Sequence, residues 1–96
     1  MTFIDRIADA REIAEVFDLV NEFVRTLQRM PDVQQIPVRL RPGRIRMADE
    51  MADCLRSLSD EIRQRDASDT EIPDMMFALH AVLDTALQKI RGGLLQ

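Results

Sequence analysis

Residues 2–30, TFIDRIADAREIAEVFDLVNEFVRTLQRM, contain neither proline nor glycine, and their apolar positions decide how the rest of the chain is read. Phe3, Ile7, Ala10, Ile13, Ala14, Val16, Phe17, Val20, Phe23, Val24, Leu27 and Met30 recur at steps of three and four, and Leu19 widens the stripe. Thr2 and Asp5 have capping-box spacing, and Pro31 stops a helix at Met30. The expectation is one long helix over about 3–30. At about 100° per residue its apolar positions sweep roughly 240° of the circumference, more than two neighbouring helices cover.

Outward from that stretch, Pro31, Pro37, Pro42, Gly43 and Pro73 punctuate the chain into two further helical blocks. The second runs from about 45 to 66 with Ala48, Met51, Leu55, Leu58 and Ile62 at spacings of 3, 4, 3, 4, a narrow coiled-coil-like seam. The third runs from about 72 to 91, with Ile72, Met76, Leu79, Leu83, Ala86 and Ile90 as its seam. Ser68 and Glu71 form a second capping-box spacing, and Pro73 falls in the permitted first turn. Lys89 and Arg91 suit the negative end of the helix dipole, before Gly92 and Gly93. A short link makes helices two and three an antiparallel hairpin, with helix one across their shared groove. The expected fold is therefore all-α, a single three-helix bundle over 1–96.

The connector, about 31–44, holds PVRLRPGRIR at its end and the start of the next helix, with Arg39, Arg41, Arg44 and Arg46 as a candidate partner-binding set. Ile36, Val38 and Leu40 alternate with polar residues and prolines, the period of an extended strap that could run back along helix one. Two roles are weighed for the arginines. In one they meet Asp49, Glu50 and Asp53 as exposed ion pairs worth under about 1 kcal/mol each. In the other their guanidinium forks bind a carboxylate-rich protein surface or phosphates. An extended arginine segment followed by two helices, over residues 36–90, resembles the ribbon-helix-helix regulators. Ser57, Leu58 and Ser59 stand at about the distance of that family's hydroxyl-rich turn, although no glycine precedes them, and Pro37 and Pro42 depart from a paired ribbon. The resemblance implies nucleic-acid binding through 37–46, and no residue roles are carried over from it.

Catalytic and metal motifs are sparse. His80 is the only histidine and Cys54 the only cysteine. A Cys54–His80 dyad, a His80–Asp84 pair, or metal ligation by Asp49, Asp53, His80 and Asp84 can be drawn, yet no Glu-x-x-His or Cys-x-x-Cys spacing supports them. Cys54 and His80 instead border the second and third seams. The helical chorismate mutases are similar in length and topology alone, and no ordered set of basic catalytic positions matches theirs. No enzyme activity, metal or cofactor is expected.

The chain has 96 residues, 46% hydrophobic and 31% charged, with a formal net charge of -4, the composition of one folded domain. Twelve of its 13 basic residues are arginine, as in GC-rich coding, so a bacterial or phage source is expected. A single cysteine and no basic-then-apolar leader point to the cytoplasm. No run approaches the roughly 18 apolar residues of a membrane span. The functional expectation is a small protein-binding module, adaptor, inhibitor or regulator, with a nucleic-acid regulator as the alternative. The apolar excess of helix one makes a homodimer the expected state, with Ile4, Ile7, Phe17, Leu19 and Phe23 as its candidate interface.

Overall fold

The computed structural model describes residues 2–30 and 44–92, which form four α-helices: α1 (Phe3–Asp9), α2 (Ile13–Gln28), α3 (Ala48–Ala67) and α4 (Asp74–Arg91). No strand occurs among the described residues. The molecule is all-helical, but the single helix expected over 3–30 is two. Ala10 (φ -63°, ψ 142°) and Glu12 (φ -129°, ψ 148°) are extended, and α1 folds back beside α2. The rings of Phe3 and Phe23 meet edge-on with centroids 5.2 Å apart, whereas an unbroken helix would hold these residues about 30 Å apart.

Burial accounts for this break in a stretch without proline or glycine. A 240° stripe on one helix leaves apolar surface in water, and dividing it between two helices lets each bury a narrower face. Ile7 and Ala10 are buried beside Val16, Leu19, Val20, Val24 and Leu27, while Ile13, at the corner, remains 38% exposed. The backbone groups released at the break find partners. Lys89 Nζ of α4 donates to the Ala8 carbonyl at the end of α1, and the Arg11 N–H donates to Glu15 Oε2 at 3.2 Å. At the start of α1 the capping box closes as its spacing predicts. The Asp5 N–H donates to Thr2 Oγ1 (3.1 Å) and the Thr2 N–H to Asp5 Oδ2 (3.3 Å).

α3 begins three residues later than its periodicity suggests, for a long-range reason. The Asn21 side chain, buried on α2, donates from Nδ2 to the Ile45 carbonyl (2.8 Å) and accepts the Ile45 N–H on Oδ1 (2.7 Å). This amide occupies both main-chain groups of Ile45 as a neighbouring strand would, holding Ile45 outside the helix with its side chain in the core. The helix also ends later, at Ala67. Ser68 caps its C-terminus instead of opening the next helix, so the second capping box is not formed. Asp69 takes φ 55° and the Thr70 N–H reaches the Arg65 carbonyl at 2.8 Å, a Schellman turn with aspartate where glycine is preferred. Pro73 is the N-cap of α4, just ahead of the first turn in which the sequence places it.

α3 and α4 run antiparallel, with contacts from Arg65–Glu71 at the turn through Ser59–His80 to Asp49–Arg91 at the far end. Met51 and Leu58 from the first seam and Met76, Leu79, Leu83 and Ala86 from the second are buried, with Leu55, Ile62, Ile72 and Ile90 at the edge. α4 packs against each of the other three helices, so it, rather than the α3/α4 groove, is the centre on which the N-terminal pair rests.

Candidate functional site

The central helix nevertheless keeps one side in water. Stepping about 100° per residue, α4 turns Met76, Leu79, Val82, Leu83, Ala86 and Leu87 inward. Opposite them lie Phe77, Ala78, Ala81, Asp84, Thr85 and Gln88, which are exposed or half-exposed and include no basic residue. Phe77 is 49% exposed. A half-exposed phenylalanine among small residues is where polar side chains normally stand on a surface helix.

A shallow depression lies on each side of this ridge. Between α4 and α1, Thr2, Phe3, Ile4, Phe23, Ala78 and Val82 line one of about 290 Å³. The fold-back of α1 makes this depression, because it brings Phe3 and Ile4 beside α4 and Phe23. Ile4 is 38% exposed at its rim. The Arg6 guanidinium stacks over the Phe3 ring at 5.1 Å while pairing with Glu22 at 3.2 Å. Between α4 and α3, Ser59, Ile62, Arg63, Phe77 and His80 line a second depression of about 270 Å³. Phe77 lines the second depression and Ala78 the first, so the exposed side of α4 lies between the two.

His80 lies in the second depression with its Nε2 3.0 Å from Ser59 Oγ. The hydroxyl–imidazole pair spans two helices and leaves no signal in the sequence, where His80 borders the third seam and Ser59 belongs to no motif with it. As catalytic machinery it is incomplete. Asp84, one turn beyond His80, accepts from Gln88 Nε2 (3.1 Å) instead of orienting the imidazole. Ser59 lies inside α3, where backbone N–H groups serve the helix and none faces a developing oxyanion. Burial pushes the Cys54 thiol from 9.0 up to about 11, away from the thiolate that a cysteine nucleophile needs. Among the described residues no cluster of three metal-ligating side chains occurs, so Asp49, Asp53, His80 and Asp84 do not converge.

The expected interface residues divide. Ile7 and Leu19 are in the core of the single chain and are not surface. Phe17 and Phe23 are half-buried, and Ile4 alone of the five is exposed. Of the candidate arginines, Arg39 and Arg41 lie outside the described residues, as does the strap of Ile36, Val38 and Leu40. Arg44 and Arg46 are exposed on either side of buried Ile45. Among the described residues the nearby carboxylates pair with neither the Arg44 nor the Arg46 guanidinium. Asp53 pairs with Arg56 (3.6 Å), Asp49 approaches Arg91 (4.0 Å), and Glu50 accepts the Arg46 backbone N–H (3.3 Å). α3 continues through Ser57, Leu58 and Ser59, where the ribbon-helix-helix resemblance implies a turn. No helix of the described residues is long and apolar enough to cross a membrane.

No protein-family model, curated protein or solved structure matches this chain.

Proposed function

We propose that this chain is a non-enzymatic helical module that acts by binding protein, through the outer face of α4 and its shoulders on α1 and α3. The observation carrying this reading is Phe77, 49% exposed beside two apolar depressions on the side of the central helix that no other helix of the described residues covers. A half-exposed aromatic side chain beside apolar depressions is the kind of group that contributes most to a protein interface once water is displaced around it. The expected homodimer belongs to the same reading, but with its surface moved. Ile7 and Leu19 belong to the core, leaving exposed Ile4 at the rim of the α1/α4 depression. The test uses the full chain as bait in a host lysate, beside Phe77→Asp and the exposed α2 substitution Asp18→Asn. Proteins retained by the native chain and Asp18→Asn but released by Phe77→Asp, then titrated in purified form, are the expected outcome. Identical retention by all three baits would contradict the reading.

The second reading is a nucleic-acid-binding regulator using 37–46, and exposed Arg44 and Arg46 are its support. Against it stand Asp49 and Glu50 in the first turn of α3, where a phosphate would otherwise meet the helix N-terminus. Fluorescence anisotropy with a duplex at increasing salt separates the two. Sub-micromolar affinity falling by orders of magnitude between about 50 and 200 mM salt would favour the regulator.

A further inference from the structure

We infer that Arg25 and Arg29 of α2, together with Arg44 and Arg46 on the segment leading into α3, form one guanidinium surface that binds a carboxylate-rich segment of a partner protein. None of the four lines either depression beside α4. The surface is assembled by the two hydrogen bonds between the Asn21 side chain and the Ile45 main chain, 2.8 and 2.7 Å, which fix residues 44–46 against α2. Ile45 is turned into the core, and Arg44 and Arg46 on either side of it are exposed. On α2, exposed Arg25 lies one turn beyond Asn21 and about 40° round the helix, and exposed Arg29 two turns beyond and about 80° round. From the Asn21 clamp to Arg29 is roughly 12 Å along α2, which about four extended residues of a partner would span.

These guanidinium groups are not engaged inside the chain. Among the described residues Arg6, Arg56, Arg63, Arg65 and Arg91 pair with carboxylates, whereas none of the four does, and Arg46 contributes only its backbone N–H to Glu50. Each planar fork can donate two parallel hydrogen bonds to one carboxylate or phosphate. The neighbouring groups decide between the two. Met30, 43% exposed, follows Arg29, and Met47, 57% exposed, follows Arg46. Arginine and methionine are both enriched where proteins meet, and a partner protein offers the methionines apolar side chains that a phosphate backbone lacks. Exposed Asp18 lies within about 20° of Arg25 round α2, and Asp49 and Glu50 open α3 directly after Arg46 and Met47. Those carboxylates repel a continuous track of phosphates, whereas a protein segment can set an uncharged or basic residue opposite each.

The test is fluorescence anisotropy with three labelled probes titrated with the full chain: a short peptide of glutamate and leucine, its counterpart with lysine for glutamate, and a short DNA duplex. The native chain is expected to bind the glutamate peptide in preference to the other two, with affinity falling as salt rises from about 50 to 200 mM. Arg25→Gln with Arg29→Gln, and Arg44→Gln with Arg46→Gln, are each expected to weaken that binding about tenfold. Arg11→Gln with Arg56→Gln, an equal loss of charge elsewhere on the surface, and Phe77→Asp on α4 are expected to stay within about twofold of the native chain. All the substituted side chains are exposed, so circular dichroism should be the same for every variant. A loss confined to the Arg44 and Arg46 pair overturns the shared surface. An equal loss in the Arg11 and Arg56 pair reduces it to net charge. Tighter binding of the duplex than of the glutamate peptide gives the surface to nucleic acid, and no binding of the glutamate peptide overturns it outright.

Discussion

The two helical pairs of this molecule are closed by different means. α3 and α4 are joined by a Schellman turn and meet along a regular seam in which Met51 and Leu58 face Met76, Leu79 and Leu83. Each helix buries one narrow stripe and the turn only has to reverse the chain. α1 and α2 are joined at a corner of ordinary residues, Ala10 to Glu12, and their closure depends on contacts distant in sequence: Phe3 on Phe23, Arg6 with Glu22, and Lys89 on the Ala8 carbonyl. The first pair is specified locally and the second by what it packs against. The consequence reaches the surface, because the fold-back of α1 builds the apolar depression beside the open face of α4.

This contrast can be broken most severely in the regular seam. Leu83→Ala, at a side chain with no exposure, is expected to cost about 2–5 kcal/mol in urea unfolding, because facing helices cannot close the cavity. A loss under 1 kcal/mol would mean that the seam is not the core. Asn21→Ala should follow at about 2–3 kcal/mol, since it leaves the Ile45 N–H and carbonyl buried without their partner. If Asn21→Ala unfolds like the native chain, Ile45 is not held by α2. The turn offers a gain in place of a loss. Asp69→Gly should stabilise by about 0.5–1 kcal/mol, the left-handed φ being favourable for glycine, and an unchanged midpoint would remove the Schellman geometry from the account. The smallest effect concerns pH. Because the folded Cys54 thiol lies near 11 rather than 9.0, its contribution to stability is fully present below pH 9 and is lost as pH rises towards 11. Cys54→Ala should flatten the decline in stability across that window.

Legibility in the sequence follows the same division. The seams of α3 and α4 could be read because spacings of 3 and 4 select one face. The Thr2–Asp5 box could be read because both partners lie within one turn. The corner at Ala10–Glu12 could not be placed, since its residues are good helix formers and the break is selected by burial elsewhere. Its trace is the width of the stripe, a surplus that folding the stripe in two reduces. Asn21 with Ile45, 24 residues apart, and Ser59 with His80, 21 apart, leave no periodic signal because each pairing depends on helices already packed. Phe77 lies off the seam of its helix, and its exposure acquires meaning only when the two depressions are seen.

Everything proposed for the α4 face depends on α1 lying beside it, and ring-to-ring nuclear Overhauser effects test that directly. The chain has only four phenylalanines, so selective labelling resolves each ring. The account predicts strong cross-peaks between Phe3 and Phe23, at centroids 5.2 Å apart, with sequential amide contacts interrupted between Ala10 and Glu12. Unbroken helical amide contacts from Phe3 to Gln28, with no cross-peak between those two rings, would contradict it.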